Sequence, residues 1–207
     1  MLLGLFFLIA SVTTGDEALI KASEAFARLD TYTVTIKSEG TAREEIRYFF
    51  RKPGWIRMEF EEPHRGAVLV YNPDLKRVKL RPFAFFKYLV MDLSPEDRLI
   101  RSSKGHTVDK SHIGALLENV ESLKDAGEAR LMGQESLNGR DTVVLEVTGK
   151  EGKEVNGVHR YVIWLDNRLF LPIKISSYAL GGVKTEDVDM TDIEAGSYLP
   201  MDLFDFK

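Results

Sequence analysis

Apolar and polar side chains alternate at period two through most of this chain, and period two is the signature of a strand with one buried face. Residues 31–37 set Tyr32, Val34 and Ile36 against threonines and Lys37. Residues 43–50, 55–61, 67–71 and 77–81 continue the pattern, broken by Lys-Pro-Gly, Pro63 and Asn72-Pro73. In 55–61, Ile56, Met58 and Phe60 share one face, and Arg57, Glu59 and Glu61 the other. After residue 128 the signal returns, and strands are predicted at 129–135, 141–149, 157–166, 172–179 and 183–193. Asn138-Gly139, Asn156-Gly157 and Gly181-Gly182 supply tight-turn chemistry between them.

Two stretches change to helical spacing. Residues 16–29 place Leu19, Ala22, Phe26 and Leu29 on one stripe, with carboxylates in the first turn. Residues 109–123 place Ile113, Leu116, Leu117 and Val120 on another. Ser94-Pro95-Glu96-Asp97 reads as a helix start and predicts a short helix to about residue 101. Residues 83–93, FAFFKYLVMDL, are almost wholly apolar and show neither period. The order is helix, about five strands, one or two helices, about five strands. That order predicts one α+β domain on a large antiparallel sheet, and a sheet of that size curls.

The first fifteen residues carry no charged side chain, and residues 2–10 are a continuous apolar run. The run is too short for a membrane-spanning helix, which needs roughly 20 residues. Small and polar residues follow, so residues 1–15 are expected to be a signal peptide and residues 16–207 a single mature domain. The protein is then exported, to the periplasm in a bacterial cell. A buried N-terminal strand or helix is the alternative.

With 207 residues and no cysteine, disulfides, thiolate metal sites and a cysteine nucleophile are excluded. A net charge of −4 offers nothing to nucleic acid. His64, His106, His112 and His159 are scattered without metal-ligand spacing, the first two in loops and His112 on a solvated helix flank. Glu44-Glu45 and Glu61-Glu62 are adjacent, so on a strand each pair faces opposite sides and shares no acid–base site. No catalytic constellation is visible, no cofactor is implied, and the expectation is a protein that is not an enzyme.

Two features stay open. Lys76, Arg77, Lys79 and Arg81 form a basic cluster, read either as a solvated strand face or as a contact for anionic lipid or a membrane-bound partner. Residues 83–93 are either a core element or an apolar flap. With Phe49, Phe50, Trp55, Met58 and the 113–120 stripe, such a flap would enclose a pocket for an acyl chain.

Several motifs, in order, resemble the LolA-like superfamily of periplasmic outer-membrane lipoprotein carriers over nearly the whole mature chain. They are Leu29-Asp30 ending the first helix, the Phe50-Arg51-Lys52-Pro53 corner, the Arg57 strand with Pro63, and Val70-Tyr71-Asn72-Pro73. Asn138-Gly139-Arg140, YVIWLDNRLFLP at 161–172 and the 192–204 segment complete the series. The resemblance implies an open, incomplete β-barrel with helices over its concave face and an apolar interior that holds acyl chains. It implies a rim role for Lys52, where the carriers have a lid-latching arginine, and places Leu29 and Ile56 at the cavity. Residues 83–100 depart from the carrier pattern, which leaves the lipid cargo open.

The candidate lipid-binding residues are therefore Leu29, Phe50, Lys52, Trp55, Ile56, Met58, Phe60, Phe85, Leu116 and Leu117. The implied partners are a lipid or acylated lipoprotein and membrane-bound donor or acceptor proteins, with the carrier a monomer. The rival expectation is an envelope-stress sensor that signals to a membrane partner, and the plainest is a structural domain with a filled core.

Overall fold

The computed structural model describes residues 12, 14–39, 43–86, 88–102, 105–150 and 152–206. Nearly all of the expected signal peptide lies outside the described residues.

Helix α1 (Gly15–Arg28) starts where Thr14 accepts the Glu17 amide at 3.1 Å. Five strands follow: β1 (Thr31–Glu39), β2 (Arg43–Arg51), β3 (Trp55–Glu62), β4 (Val68–Asn72) and β5 (Arg77–Arg81). A sixth, β6 (Met91–Leu93), lies inside the stretch where the sequence shows no period. After helix α2 (Ile113–Asp125) come β7 (Gly127–Leu137), β8 (Arg140–Gly149), β9 (Arg160–Asp166), β10 (Pro172–Tyr178) and β11 (Lys184–Ala195). The eleven described strands form one antiparallel sheet in the order β6-β5-β4-β3-β2-β1-β11-β10-β9-β8-β7. At the β7–β8 hairpin, Asn138 and Gly139 both take positive φ (53° and 75°), the requirement of a tight hairpin turn.

The topology is two meanders joined where β1 pairs with β11. The chain leaves the first meander at one edge strand, β6, and enters the second at the opposite edge strand, β7. The connection between them must therefore cross the sheet. It carries α2, and together with α1 it covers the concave face. The sheet does not close, so the fold is α+β with an open, curled sheet and helices over its concave side.

The predicted short helix after Ser94 does not form; residues 94–101 are turns. Local side chains satisfy the backbone there instead of a helical ladder. Asp97 accepts the Leu99 amide at 2.9 Å, and the Ser94 hydroxyl bonds Glu96.

The inner parity of the strands makes one apolar cluster with the helices. It runs from Tyr32, Tyr48, Phe50, Ile56, Leu69 and Val78 on one half to Leu145, Ile163 and Ile175 on the other. A smaller cluster sits on the outer face, where the C-terminal segment lays Leu199 and Phe204 over Val68 and Val70.

Candidate functional site

Strand parity decides which candidate residues meet. Phe50, Ile56 and Met58 face inward, with Phe50 1% and Ile56 0% exposed, and Leu117 of α2 is buried in the same cluster. Leu29, Phe60 and Leu116 are partly buried and pack on it. These seven belong to one apolar interior.

Trp55 does not. It neighbours Ile56 on the strand, so it points to the opposite face, where its ring lies 6.1 Å from that of Phe204. Phe49 goes outward for the same reason. Period two in the sequence is sufficient to separate them from Phe50 and Ile56. Phe85 is also elsewhere: it is 76% exposed in the β5–β6 connection and lines no interior surface.

The interior of the sheet is packed with side chains. A 410 Å³ cleft lies on the outer face and is polar, lined by residues such as Thr35, Lys37, Arg47 and Asp192. A second cleft, of 260 Å³, opens beside the C-terminal end of α1. Its floor is Ala25, Leu29, Leu169, Phe170, Leu171 and Ala195, and its rim carries Arg28 and Arg168. There the apolar interior reaches the surface, because Leu171 is itself part of the central cluster. The turn that supplies this floor is held from inside. Buried Asp166 accepts the Arg168 and Leu169 amides at 2.8 Å each and pairs with Arg140 at 3.1 Å.

Lys52 sits at the same end of α1. Its Nζ donates to the Ala27 carbonyl at 2.5 Å and lies 5.7 Å from the Phe26 ring centre. A cation on the last carbonyls of a helix is favoured by the helix dipole. The lysine thus ties the β2–β3 corner to α1 through one flexible donor, where an arginine offers a planar fork.

Phe26 connects this tie to α2. Its ring stacks on His112 at 5.9 Å and tilts against Phe50 at 5.7 Å. Gly114 permits the approach, since a Cβ there would stand 2.4 Å from the Phe26 ring. His112 is not a solvated flank. It caps α2, its Nδ1 accepting the Ala115 amide at 3.1 Å. Burial depresses its basicity, with Lys110 nearby pushing the same way and Glu118 opposing.

Below it, Tyr32 accepts the Ile113 amide at 3.2 Å, and Tyr48 shares a 3.0 Å hydrogen bond with Ser111. Burial pushes both phenols upward, so they stay protonated and hold the start of α2 as neutral groups. Phe26, Tyr32, Tyr48 and His112 do not stand out in the sequence as site residues. The parity that buries Tyr32 and Tyr48 is visible there, but their partners lie far along the chain.

Among the described residues no group of three or more His, Asp or Glu side chains is placed to hold a metal. The basic cluster on β5 is largely engaged within the chain. Arg77 pairs with Asp92 at 2.7 Å, Lys79 with Asp205 at 3.1 Å, and Arg81 lies over Phe206 at 5.4 Å.

No family model matches the chain, and no curated protein matches it. Solved structures do. Mycobacterium tuberculosis lipoprotein LppX aligns with a TM-score of 0.56 at 11% identity, over 89% of this chain and 96% of that one. MucB, in the Pseudomonas aeruginosa MucA/MucB complex, aligns with a TM-score of 0.51 at 18% identity, over 92% of this chain and 60% of the other. A LolA superfamily protein from Nitrosomonas europaea aligns over 94% and 98% at 18% identity, with a TM-score of 0.39. The chain thus shares its fold with LppX and MucB.

Proposed function

We propose that this protein is a periplasmic, non-enzymatic carrier that takes up an acyl chain of a lipid or lipidated protein beneath α1 and α2. One observation carries the reading: the cleft at the end of α1, where an apolar floor continuous with the interior meets the two rim arginines, Arg28 and Arg168. Such a cleft suits an amphiphile with an apolar tail and an anionic head.

The interior is filled in this conformation, so uptake requires the helices to move outward. Exposing two fully buried side chains such as Ile113 and Leu117 costs about 3–6 kcal/mol. Each buried methylene of an acyl chain returns about 0.8 kcal/mol, so about four to eight of them offset that cost. An ordinary membrane acyl chain is long enough. The open sheet allows the motion, because α1, α2 and the segment between β6 and α2 hold the concave face without closing a strand ladder over it. The mature domain would act as a monomer, receiving cargo from one membrane-bound protein and passing it to another.

The test is the lipid content of protein purified from a native envelope. Extraction and mass spectrometry should find acyl lipid at near-stoichiometric amounts. Lipid no higher than in a control protein from the same envelope would overturn the proposal.

A second reading is a sensor that binds a membrane-anchored protein, favoured by the likeness to MucB, which has been solved in complex with MucA. Crosslinking in cells separates the two: capture of a single signalling protein, with no lipid in the purified chain, supports the sensor.

A further inference from the structure

The connection between β5 and β6 has no role in the interior, yet it presents the most concentrated apolar surface among the described residues. Phe83 is 47% exposed, Phe85 76% and Phe86 56%, and Tyr88, Leu89 and Val90 are exposed as well. The three phenylalanine rings pack on one another, with centres 4.7–6.3 Å apart. They form a convex knuckle at the end of the sheet, beside its edge strand β6. Monomeric proteins rarely leave such clusters in water without a use.

Its surroundings name the occupant. Between Arg81 and Asp92 the sequence has no acidic residue and one lysine, Lys87, and Asp92 is itself neutralised by Arg77. The β3–β4 turn adds a further cation. Gly66 there takes a left-handed φ of 82° and comes so close to Ala84 that a Cβ would stand 2.8 Å from the Ala84 methyl. This contact sets the backbone of the neighbouring Arg65 beside the knuckle, while its largely exposed side chain lies at the outer polar cleft with only a loose 3.8 Å ion pair to Glu61. Phenylalanine and tyrosine flanked by lysine and arginine match the chemistry of a bilayer interface, where rings enter at headgroup depth and cations meet lipid phosphates. A convex apolar tip needs a fitted pocket on a protein, whereas a bilayer accepts it without one.

We propose that the 83–90 knuckle is a membrane-docking element that inserts its rings into the interfacial zone of an anionic bilayer while Arg65 contacts lipid phosphates. The proposal extends the carrier reading but does not depend on it, since it concerns the outside of the molecule.

Flotation of the full chain with phosphatidylglycerol–phosphatidylcholine vesicles tests it. The chain should float with these vesicles, and less with phosphatidylcholine alone. F85S/F86S should weaken binding by about tenfold or more, because affinity follows the apolar area inserted. Arg65→Gln should weaken it by about fivefold, the value of one cation near an anionic surface. Neither variant should alter thermal unfolding or bound lipid, because these side chains lie outside the core.

Phe85→Trp gives a local readout: the emission of the introduced indole should shift to the blue and be quenched by brominated acyl chains, beyond any change at Trp55 and Trp164. Flotation that survives F85S/F86S, or Phe85→Trp emission untouched by brominated lipid, overturns the proposal. So does a loss of self-association in F85S/F86S, seen by ultracentrifugation without lipid, if vesicle binding is unchanged; the patch would then join two copies of the chain.

Discussion

The two faces of the sheet are covered in opposite ways. On the convex face the C-terminal segment is strapped down by directional bonds to its backbone. Arg57 donates to the Leu203 carbonyl at 3.0 Å, Thr31 to the Ser197 carbonyl at 2.7 Å, and Arg51 to the Leu199 carbonyl. Its apolar contact is small, centred on Leu199 and Phe204. On the concave face the proportions reverse. α1 and α2 rest on the large apolar cluster, and the polar ties to the sheet described above are few: Lys52 to Ala27, Tyr32 to Ile113, and Tyr48 to Ser111.

The difference separates a fixed cover from an exchangeable one. Hydrogen bonds to particular carbonyls hold one register and are lost when the segment shifts. Apolar contact is non-directional, so a ligand of the same chemistry can replace it. The concave cover is therefore the one suited to cargo.

The largest effect should come from truncating the concave cover. Leu117→Ala is expected to cost about 2–5 kcal/mol in urea unfolding, the usual range for a buried leucine. The same variant should bind an apolar dye more strongly. Destabilisation without any gain in dye binding would place the concave cover on the same footing as the strap.

Next is the strap. Arg57→Met removes a charge-assisted bond to Leu203 and an ion pair with Glu59 at 2.8 Å, and should cost about 1.5–3 kcal/mol. Limited proteolysis should then cut near residues 197–206, with dye binding unchanged. Increased dye binding in Arg57→Met would blur the distinction between the two faces.

The start of α2 should respond to pH. The His112 imidazole, held by burial below its ordinary value of 6.5, is neutral in the fold while the unfolded chain takes up a proton first. Its contribution is complete above pH 6.5 and is lost as pH falls from there through the depressed folded value. Stability measured at about pH 7.5 and about pH 5.5 should drop for the parent chain, because that interval spans the unfolded imidazole's titration. It should drop less for His112→Asn, which keeps a capping acceptor without titrating. Equal slopes would remove His112 from the account.

The smallest effect is expected at the tie. Lys52→Met should cost only about 0.3–1 kcal/mol, the value of one cation at a helix end, while speeding dye entry. Slower entry would show that Lys52 does not restrain α1.

Much of this is legible along the chain. The alternation in 31–37, 43–50 and 55–61 marks three strands and their inner faces, and Asn138-Gly139 marks a hairpin. The misplacement of Trp55 beside Ile56 comes from weighing aromatic character above parity. The helix expected at residue 94 fails because Ser94 and Asp97 form local bonds that a cap signal alone does not distinguish from helix initiation. β6 escapes the sequence pattern because three residues carry too little period to see.

The sequence alone determined which segments are strands and helices and which side of each strand is apolar, because these follow from periods of two and 3.6 between near neighbours. Only the tertiary structure decided what covers each face. Lys52 meets Ala27 across 25 residues, Arg57 meets Leu203 across 146, and the 83–90 knuckle is left outside. Those partnerships follow from where the sheet's edges fall and where the chain must cross between them, and no local pattern in the sequence records that.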